Sequence, residues 1–406
     1  MPMQNLVSSA TGRSGSLFSA DLQAHESEIG EILRGRSILV IGGAGSIGSS
    51  TIAQVLRFQP GKLHVVDQNE NNLAELVREL RSSPGQLSTC DFRTFPIDFG
   101  SSVMGRLLDE LPPYEIVLNF AALKHVRSEK DVYSLLQMLN TNVVKVARLI
   151  QWLRQRGGTR WFFSVSTDKA ANPVNLMGAS KRLMEHVMFS GEFCALTGLH
   201  VTSARFANVA FSDGSLLHSF LKRIEKRQPI AVPRSTRRFF VSIEEAGQIC
   251  LLAAFCAPTE FIMIPRFSQQ KDLQDLESVA AAVLAQYGLE PRFYADEAEA
   301  GDHMAADLLH RKYPVLLTPL DTTGEKSFEE FVAADEDALE LGYRQLLGVP
   351  YVPVMPGVTS EIVTYLESIL SRVEPEIAKQ DIVDAVSAVL HELRHVETGK
   401  NLDQRM

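Results

Sequence analysis

Ser37-Ile38-Leu39-Val40-Ile41 runs directly into Gly42-Gly43-Ala44-Gly45-Ser46-Ile47-Gly48, and this stretch decides the fold. Apart from Ser37 the first five residues are apolar, three of the four β-branched, as in a strand buried on both faces. Gly42, Gly45 and Gly48 follow at i, i+3 and i+6, and a helical segment comes next. Glycine allows the tight turn and lets backbone approach a pyrophosphate. The helix start, at Ser46 and Ile47, offers unpaired N–H groups and the positive end of its dipole. The stretch therefore reads as a dinucleotide fingerprint.

Strand and helix patterns alternate outward from it. Leu63–Asp67, Phe95–Asp98, Ile116–Phe120, Trp161–Ser166 and His200–Arg205 read as strands; residues 72–82, 133–156 and 178–197 read as helices. That alternation argues for an α/β chain: a Rossmann-type doubly wound parallel sheet, with a smaller C-terminal substrate-binding α/β region and terminal helices. Residues 1–20 are polar and Ser/Gly-rich and are expected to be disordered. Residues 21–210 form the dinucleotide-binding domain, with Leu22, Ile29, Ile32 and Leu33 on one helix face near its start. Residues 211–345 form the substrate-binding region, some segments of which can return to the main sheet. Within it 214–227 reads as helix, Arg237–Ser242 as extended and 295–312 as irregular and acidic. Residues 346–406 form a helical extension, with stripes Ile362, Tyr365, Leu366, Ile369, Leu370 and Ile382, Val386, Val389, Leu390, Leu393. These stripes pack on the body or form a subunit contact. The polar tail after His395 is expected to fray.

Composition narrows the function classes. The chain has 406 residues, 45% hydrophobic and 22% charged, with a formal net charge of -9. That balance argues against general nucleic-acid binding through a basic surface. Cys90, Cys194, Cys250 and Cys256 form no CxxC pair, and no His cluster stands at zinc spacing, so no metal is expected. Cys250 and Cys256 lie in an apolar run and read as core. The pattern suits a reducing cytoplasm. The first residues lack the apolar segment of a signal peptide, and no apolar run is long enough to span a membrane.

The cofactor reading extends along one sheet edge. Asp67 ends the second strand and can accept hydrogen bonds from both hydroxyls of an adenosine ribose. Its charge repels a 2′-phosphate, and no Arg follows within Gln68–Asn72, so NAD is favoured over NADP. Asp98 ends the third strand, where a loop can cover adenine. Ala121 and Ala122 end the fourth and let backbone pass close to the cofactor. Ser166-Thr167-Asp168-Lys169 and the downstream Met177-Gly178-Ala179-Ser180-Lys181 add an acid and a base beside the hydride site. Simple oxidation and reduction do not need that pair; removal of water does.

These segments resemble the extended short-chain dehydrogenase/reductase superfamily. Within it the chain is most similar to the nucleotide-sugar 4,6-dehydratases that act on UDP-N-acetylglucosamine in polysaccharide biosynthesis. Ala121–Val126, Asn172-Pro173, Arg205–Val209, Arg238-Phe239-Phe240 and Glu244-Glu245-Ala246 carry the same resemblance. It implies oxidation at sugar C4, loss of water across C5 and C6, and return of the hydride to C6. Asp168 becomes the acid for the C6 hydroxyl, Lys169 the base for H5, and Thr167 a donor near the C4 oxygen. Asp168 must then hold its proton and Lys169 lose one near neutrality, which demands burial and a tight hydrogen-bond network. Lys181 holds the nicotinamide ribose. Lys124 and His125 follow the fourth strand and are candidates for phosphate or sugar, His125 equally for a structural role. Asn208 and Arg238 are the candidates for the sugar diphosphate, a task Arg234 and Arg237 can share, since Arg suits bidentate phosphate contacts. A homo-oligomer is also implied.

Two departures stand out. Met177 occupies the usual tyrosine position of the superfamily, and a thioether accepts no proton. Either Thr167, Lys169 or a water chain serves instead, or the hydride chemistry is altered or lost. The family's Arg-Pro-Gly-Glu-Lys reads Thr322-Thr323-Gly324-Glu325-Lys326, without the arginine. The competing readings are a nucleotide-sugar 4-epimerase or dehydrogenase, and a catalytically silent NAD-binding protein.

Overall fold

The computed structural model describes residues 3–82, 87, 90–191, 198–319, 328–371 and 377–395. Its main sheet has eight strands: β1 (Ser37–Ile41), β2 (Lys62–Val66), β3 (Asp91–Phe95), β4 (Ile116–Asn119), β5 (Trp161–Val165), β6 (His200–Ala204), β10 (Phe261–Pro265) and β14 (Leu346–Pro350). The spatial order is β14-β10-β6-β5-β4-β1-β2-β3. Strands β1 to β6 and β10 run parallel, and β14 adds an antiparallel edge. The order reverses between β1 and β4, so the loops after these strands part and leave a crevice.

Pro96 accounts for one difference from the expected strands. It has no N–H for the ladder, so β3 stops at Phe95 and the segment to Asp98 is loop. The apolar residues of the central strands are mostly buried on both faces, those of the edge strand β3 only partly, and two core clusters flank the sheet. Burying one such Val, Leu or Ile stabilises by about 1.5–3 kcal/mol. The long helix expected over 133–156 is interrupted. Val132–Leu139 and Lys145–Arg156 are joined by a π-helical turn, Asn140–Val144. The expected 178–197 helix runs from Leu176 to Phe189; residues 192–197, Cys194 included, lie outside the described residues.

A second lobe carries two small sheets. One holds β7 (Asn208–Val209), β9 (Arg237–Val241) and β11 (Leu273–Asp275), in the order β11-β9-β7. The other holds β8 (Ile230–Pro233), β12 (Glu290–Tyr294) and β13 (Lys312–Thr318), in the order β12-β13-β8. The expected irregularity of 295–312 is corrected here: helices Glu297–Asp302 and Met304–Leu309 and the start of β13 fill it. Asp296 caps the first by accepting from Glu299 N–H, and Glu297 and Glu299 favour the positive end of its dipole.

Residues 1–20 also depart from expectation. Met3–Thr11 is a helix whose Leu6 and Ala10 enter the core of the second lobe. Arg13 then pairs with Glu245 at 2.8 Å, tying the segment down. At the other end, helices Val358–Ser371 and Lys379–Val389 bury Ile362, Leu366, Ile382 and Val386 in the core of the body, joined by Leu390 just past the second helix. No helix among the described residues is long and apolar enough to cross a membrane. The tail from 396 lies outside the described residues.

Candidate active site

A cleft of about 1300 Å³ opens between the carboxyl ends of the main strands and the second lobe. Gly42, Gly45, Ser46, Ile47, Gly48, Asp67, Ala121 and Ala122 line one part. Gly42 has φ +69°, and a Cβ there would lie 2.5 Å from Ala121 N. A Cβ on Gly48 would lie 2.6 Å from Gly42 O. The turn thus packs backbone on backbone, and no larger residue fits it. Gly42→Ala is expected to destabilise by about 2 kcal/mol or more, since it adds left-handed strain to a clash. Urea denaturation reads this as a lower midpoint at unchanged slope.

The residues beside this turn fit a dinucleotide. Helix Ser46–Leu56 begins without a side-chain cap, so its first N–H groups remain open to an anion. Asp67 is fixed by Ala44 N–H at 3.1 Å and Asn69 N–H at 2.9 Å, each donating to one oxygen. A carboxylate keeps further lone pairs for ribose hydroxyls. Asp98 is placed otherwise. Lys145 Nζ donates to it at 2.6 Å, and the cleft is lined by its neighbours Ile97 and Phe99 instead.

The loop from Ala121 to His125 owes its path to Asn142 in the π-helical turn. Asn142 accepts from Leu123 N–H, and its amide donates to Leu123 O and Ser180 Oγ, all at 2.9 Å. Sequence reading missed this residue. The π-turn that aims it leaves no mark in the hydrophobic period, although such turns recur at functional sites. Lys124 and His125 reach the cleft from this loop and remain solvent-accessible. Surrounding protein lowers the Lys124 pKa, and Asp213 opposes that shift.

Thr167, Asp168 and Lys169 follow β5, where a single 3₁₀ turn (Asp168–Ala170) holds them. Asp168 is buried, with 3% exposure. Thr167 Oγ1 donates to its Oδ1 at 2.7 Å, and Lys169 Nζ lies 3.1 and 3.2 Å from its two oxygens. All three residues line the cleft. Helix Leu176–Phe189 starts beneath them. Asn175 caps it by accepting from Gly178 N–H at 2.7 Å, and Gly178 leaves the room that Lys169 O occupies. Met177 and Lys181 lie one turn apart on this helix and both line the cleft. Burial lowers the Lys181 pKa to about 8, with Glu185 acting the other way.

Asn208 and Arg238 bring the second lobe to the same cleft. Glu329 joins them. It accepts from Asn208 Nδ2 at 2.5 Å and from Phe239 N–H at 3.1 Å, and lies 3.4 Å from Arg238 Nε. Lys222, on helix Leu216–Glu225, and Lys226, the residue that ends it, add cations to the cleft. Sequence reading assigned none of these three. The basic end of the segment read as helix over 214–227 was a legible signal for the lysines; Glu329 follows no motif that the sequence reading used. Thr322–Lys326 lie outside the described residues. Among the described residues, no group of three or more His, Cys, Asp or Glu could hold a metal ion.

Comparison with known proteins adds to this geometry. Residues 38–349 match the family described as "Polysaccharide biosynthesis protein". An uncharacterized membrane protein of Methanocaldococcus jannaschii is 32% identical over 268 residues, 65% of this chain and 76% of that protein. A UDP-N-acetylglucosamine 4,6-dehydratase (inverting) of Campylobacter jejuni is 29% identical over 227 residues, 54% of this chain and 64% of that protein. A UDP-glucose 4-epimerase of Rickettsia prowazekii is 24% identical over 225 residues, 54% of this chain and 62% of that protein. The chain therefore spans less than two thirds of these last two relatives. Among solved structures, Pen from Bacillus thuringiensis superposes with a TM-score of 0.63 at 21% identity, over 89% of this chain and 98% of that one. The enzyme WbmF of Bordetella bronchiseptica, in complex with NAD+ and UDP, gives 0.50 at 16% identity, over 63% of this chain and 79% of that one.

Proposed function

The chain belongs to the polysaccharide biosynthesis family of extended short-chain dehydrogenases/reductases, and on that premise we propose that it is an NAD-dependent nucleotide-sugar 4,6-dehydratase acting on UDP-N-acetylglucosamine or a related sugar nucleotide. One observation carries the reading. A buried carboxyl and an amine, Asp168 and Lys169, sit 3.1 Å apart in the cleft that also holds the glycine turn and Lys181. NAD, when bound, would supply the reversible hydride acceptor.

The glycine turn, the open start of helix Ser46–Leu56 and Asp67 would hold the dinucleotide, and Lys181 the nicotinamide ribose. Asp67 favours NAD over NADP through charge repulsion of a 2′-phosphate. Lys222, Lys226 and Arg238 would take the sugar diphosphate, with Asn208 beside them. Lys169 would remove H5 and Asp168 would protonate the departing C6 hydroxyl. Their contact lets one proton pass from amine to carboxyl within the pair, which arms both at no net change of charge. Met177 brings no proton acceptor to the C4 oxygen, which leaves Thr167, Lys169 or ordered water for that task.

The 4-epimerase reading gains from the match to UDP-glucose 4-epimerases, but it leaves the Asp168–Lys169 pair without work. Incubation with UDP-, dTDP- and GDP-sugars, followed by mass spectrometry, separates the two. A 4,6-dehydratase yields a product lighter by one water. An epimerase yields an isomer of equal mass, and that outcome overturns the proposal.

A further inference from the structure

Glu329 reaches the cleft from the chain between the second lobe and the main sheet, and its carboxyl is saturated by the other lobe. Oε1 accepts from Asn208 of β7 at 2.5 Å and lies 3.4 Å from Arg238 of β9; Oε2 accepts from Phe239 N–H of β9 at 3.1 Å. Its own segment is anchored to the main sheet two residues later, where Arg205 donates to Phe331 O at 3.0 Å. The neighbouring Glu330 turns away to Asn172, at 3.4 Å. Glu329 thus joins the two halves of the cleft through the residues expected to hold the sugar diphosphate.

A carboxyl that is 6% exposed must gain something for its burial. Resting on the dehydratase reading, we propose that Glu329 is a positioning residue for the substrate: when ionised it fixes Asn208 and Arg238 in the cleft wall, and when protonated it loosens its hold on Arg238.

The charges facing it are Arg238 on β9 and, from the turn after β5, Asp168 and Lys169. Burial, then the Asp168 charge, raises the Glu329 pKa above the usual carboxyl value; Arg238, Phe239 N–H and Lys169 oppose the shift. The sign follows. Glu329 is ionised above its raised pKa, so the grip on Arg238 is present at high pH. It is lost as pH falls through a value higher than that of an ordinary glutamate.

The test is calorimetric binding of UDP, which carries the diphosphate but no sugar to react, to the holoenzyme, wild type and Glu329→Gln, from about pH 8 to about pH 5, a span that brackets a raised carboxyl pKa, beside steady-state turnover of UDP-N-acetylglucosamine. The amide offers one acceptor oxygen to the two donors Asn208 and Phe239 N–H, and no charge to Arg238. At the upper pH the variant is expected to bind about tenfold more weakly, with KM raised to match and kcat within about threefold of wild type. Wild-type affinity should fall toward the lower pH and variant affinity should stay flat. Equal affinities with the same pH dependence would overturn the proposal.

Should the variant not fold, wild-type binding repeated in buffers of different ionisation enthalpy reads the same group. Net proton exchange on binding, over that pH span, is expected; its absence overturns the proposal. The two failures look different. Binding without loss of water removes the dehydratase reading and leaves the Glu329 comparison readable. Loss of water with equal affinities removes Glu329 alone, and no binding at all removes both.

Discussion

Lys169→Ala is expected to lower turnover of UDP-N-acetylglucosamine by about 10²- to 10⁴-fold, the usual loss when a positioned acid or base is removed. Two features make the effect specific. Lys169 Nζ touches both oxygens of Asp168, so its removal leaves a buried carboxyl that keeps its hydrogen bond from Thr167 but has lost its cation. Lys169 is also partly exposed, with 34% of its side chain accessible, so its loss leaves no large cavity. The variant should therefore fold but melt several degrees below wild type, because the buried Asp168 carboxyl loses its charged partner. It should also still oxidise C4, visible as reduced nicotinamide that accumulates without loss of water. A variant that eliminates water at the wild-type rate would remove Lys169 from the reaction. One that neither oxidises nor eliminates would move its role to the hydride step.

Glu185→Ala should give the largest loss of stability in the chain, about 3–5 kcal/mol, as for a buried pair stripped of one partner. Arg205 is wholly buried. Its Nε and Nη2 donate to Glu185 at 2.8 and 2.6 Å, and its Nη1 to Glu336 at 2.6 Å. Arg182 pairs with the same two carboxylates. Ser166, next to the reacting triplet, donates to Glu185 at 2.6 Å, so the network also braces the end of β5. Without Glu185 two buried guanidiniums share Glu336, and the midpoint of urea denaturation should drop accordingly.

The pH dependence of stability follows from the same groups. Burial alone would raise the Glu185 and Glu336 pKa values, but Arg205 and Arg182 prevail and lower both, Glu336 to about 2. A carboxyl whose pKa is depressed on folding stabilises fully above its unfolded pKa, near 4.5, and loses that contribution as pH falls to the folded value. Wild type should therefore lose stability between about pH 4.5 and about pH 2, and Glu185→Gln should lose less of it there. Parallel acid-denaturation curves for the two proteins would contradict this assignment.

Much of the frame could be read from residues alone because local chemistry agreed with the tertiary role. Strands β1, β2, β4 and β5 are short, mainly apolar runs, β6 is a more polar one, all are buried on both faces, and their observed ends lie within a residue of the expected ones. The glycine turn was legible because backbone contact excludes every other residue there. Other parts depend on partners far along the chain. Nothing in Leu346–Pro350 says that it pairs antiparallel with Phe261–Pro265. Leu6 and Ala10 mark a helix only once a second core receives them, and the polar composition around them argued the other way. Asp98 ended an expected strand and suggested an adenine contact; the buried Lys145 claims its carboxylate. Glu329 and Asn142 are set by a lobe-crossing segment and a π-turn, and neither has a local signature.

The account stands on one internal hydride transfer coupled to one loss of water. UDP-N-acetylglucosamine carrying deuterium at C4, incubated with the holoenzyme in ordinary water, tests it most directly by NMR and mass spectrometry of the product. The expected product lacks one water and carries the deuterium at C6. Deuterium that stays at C4, or a sugar of unchanged mass, would contradict the account.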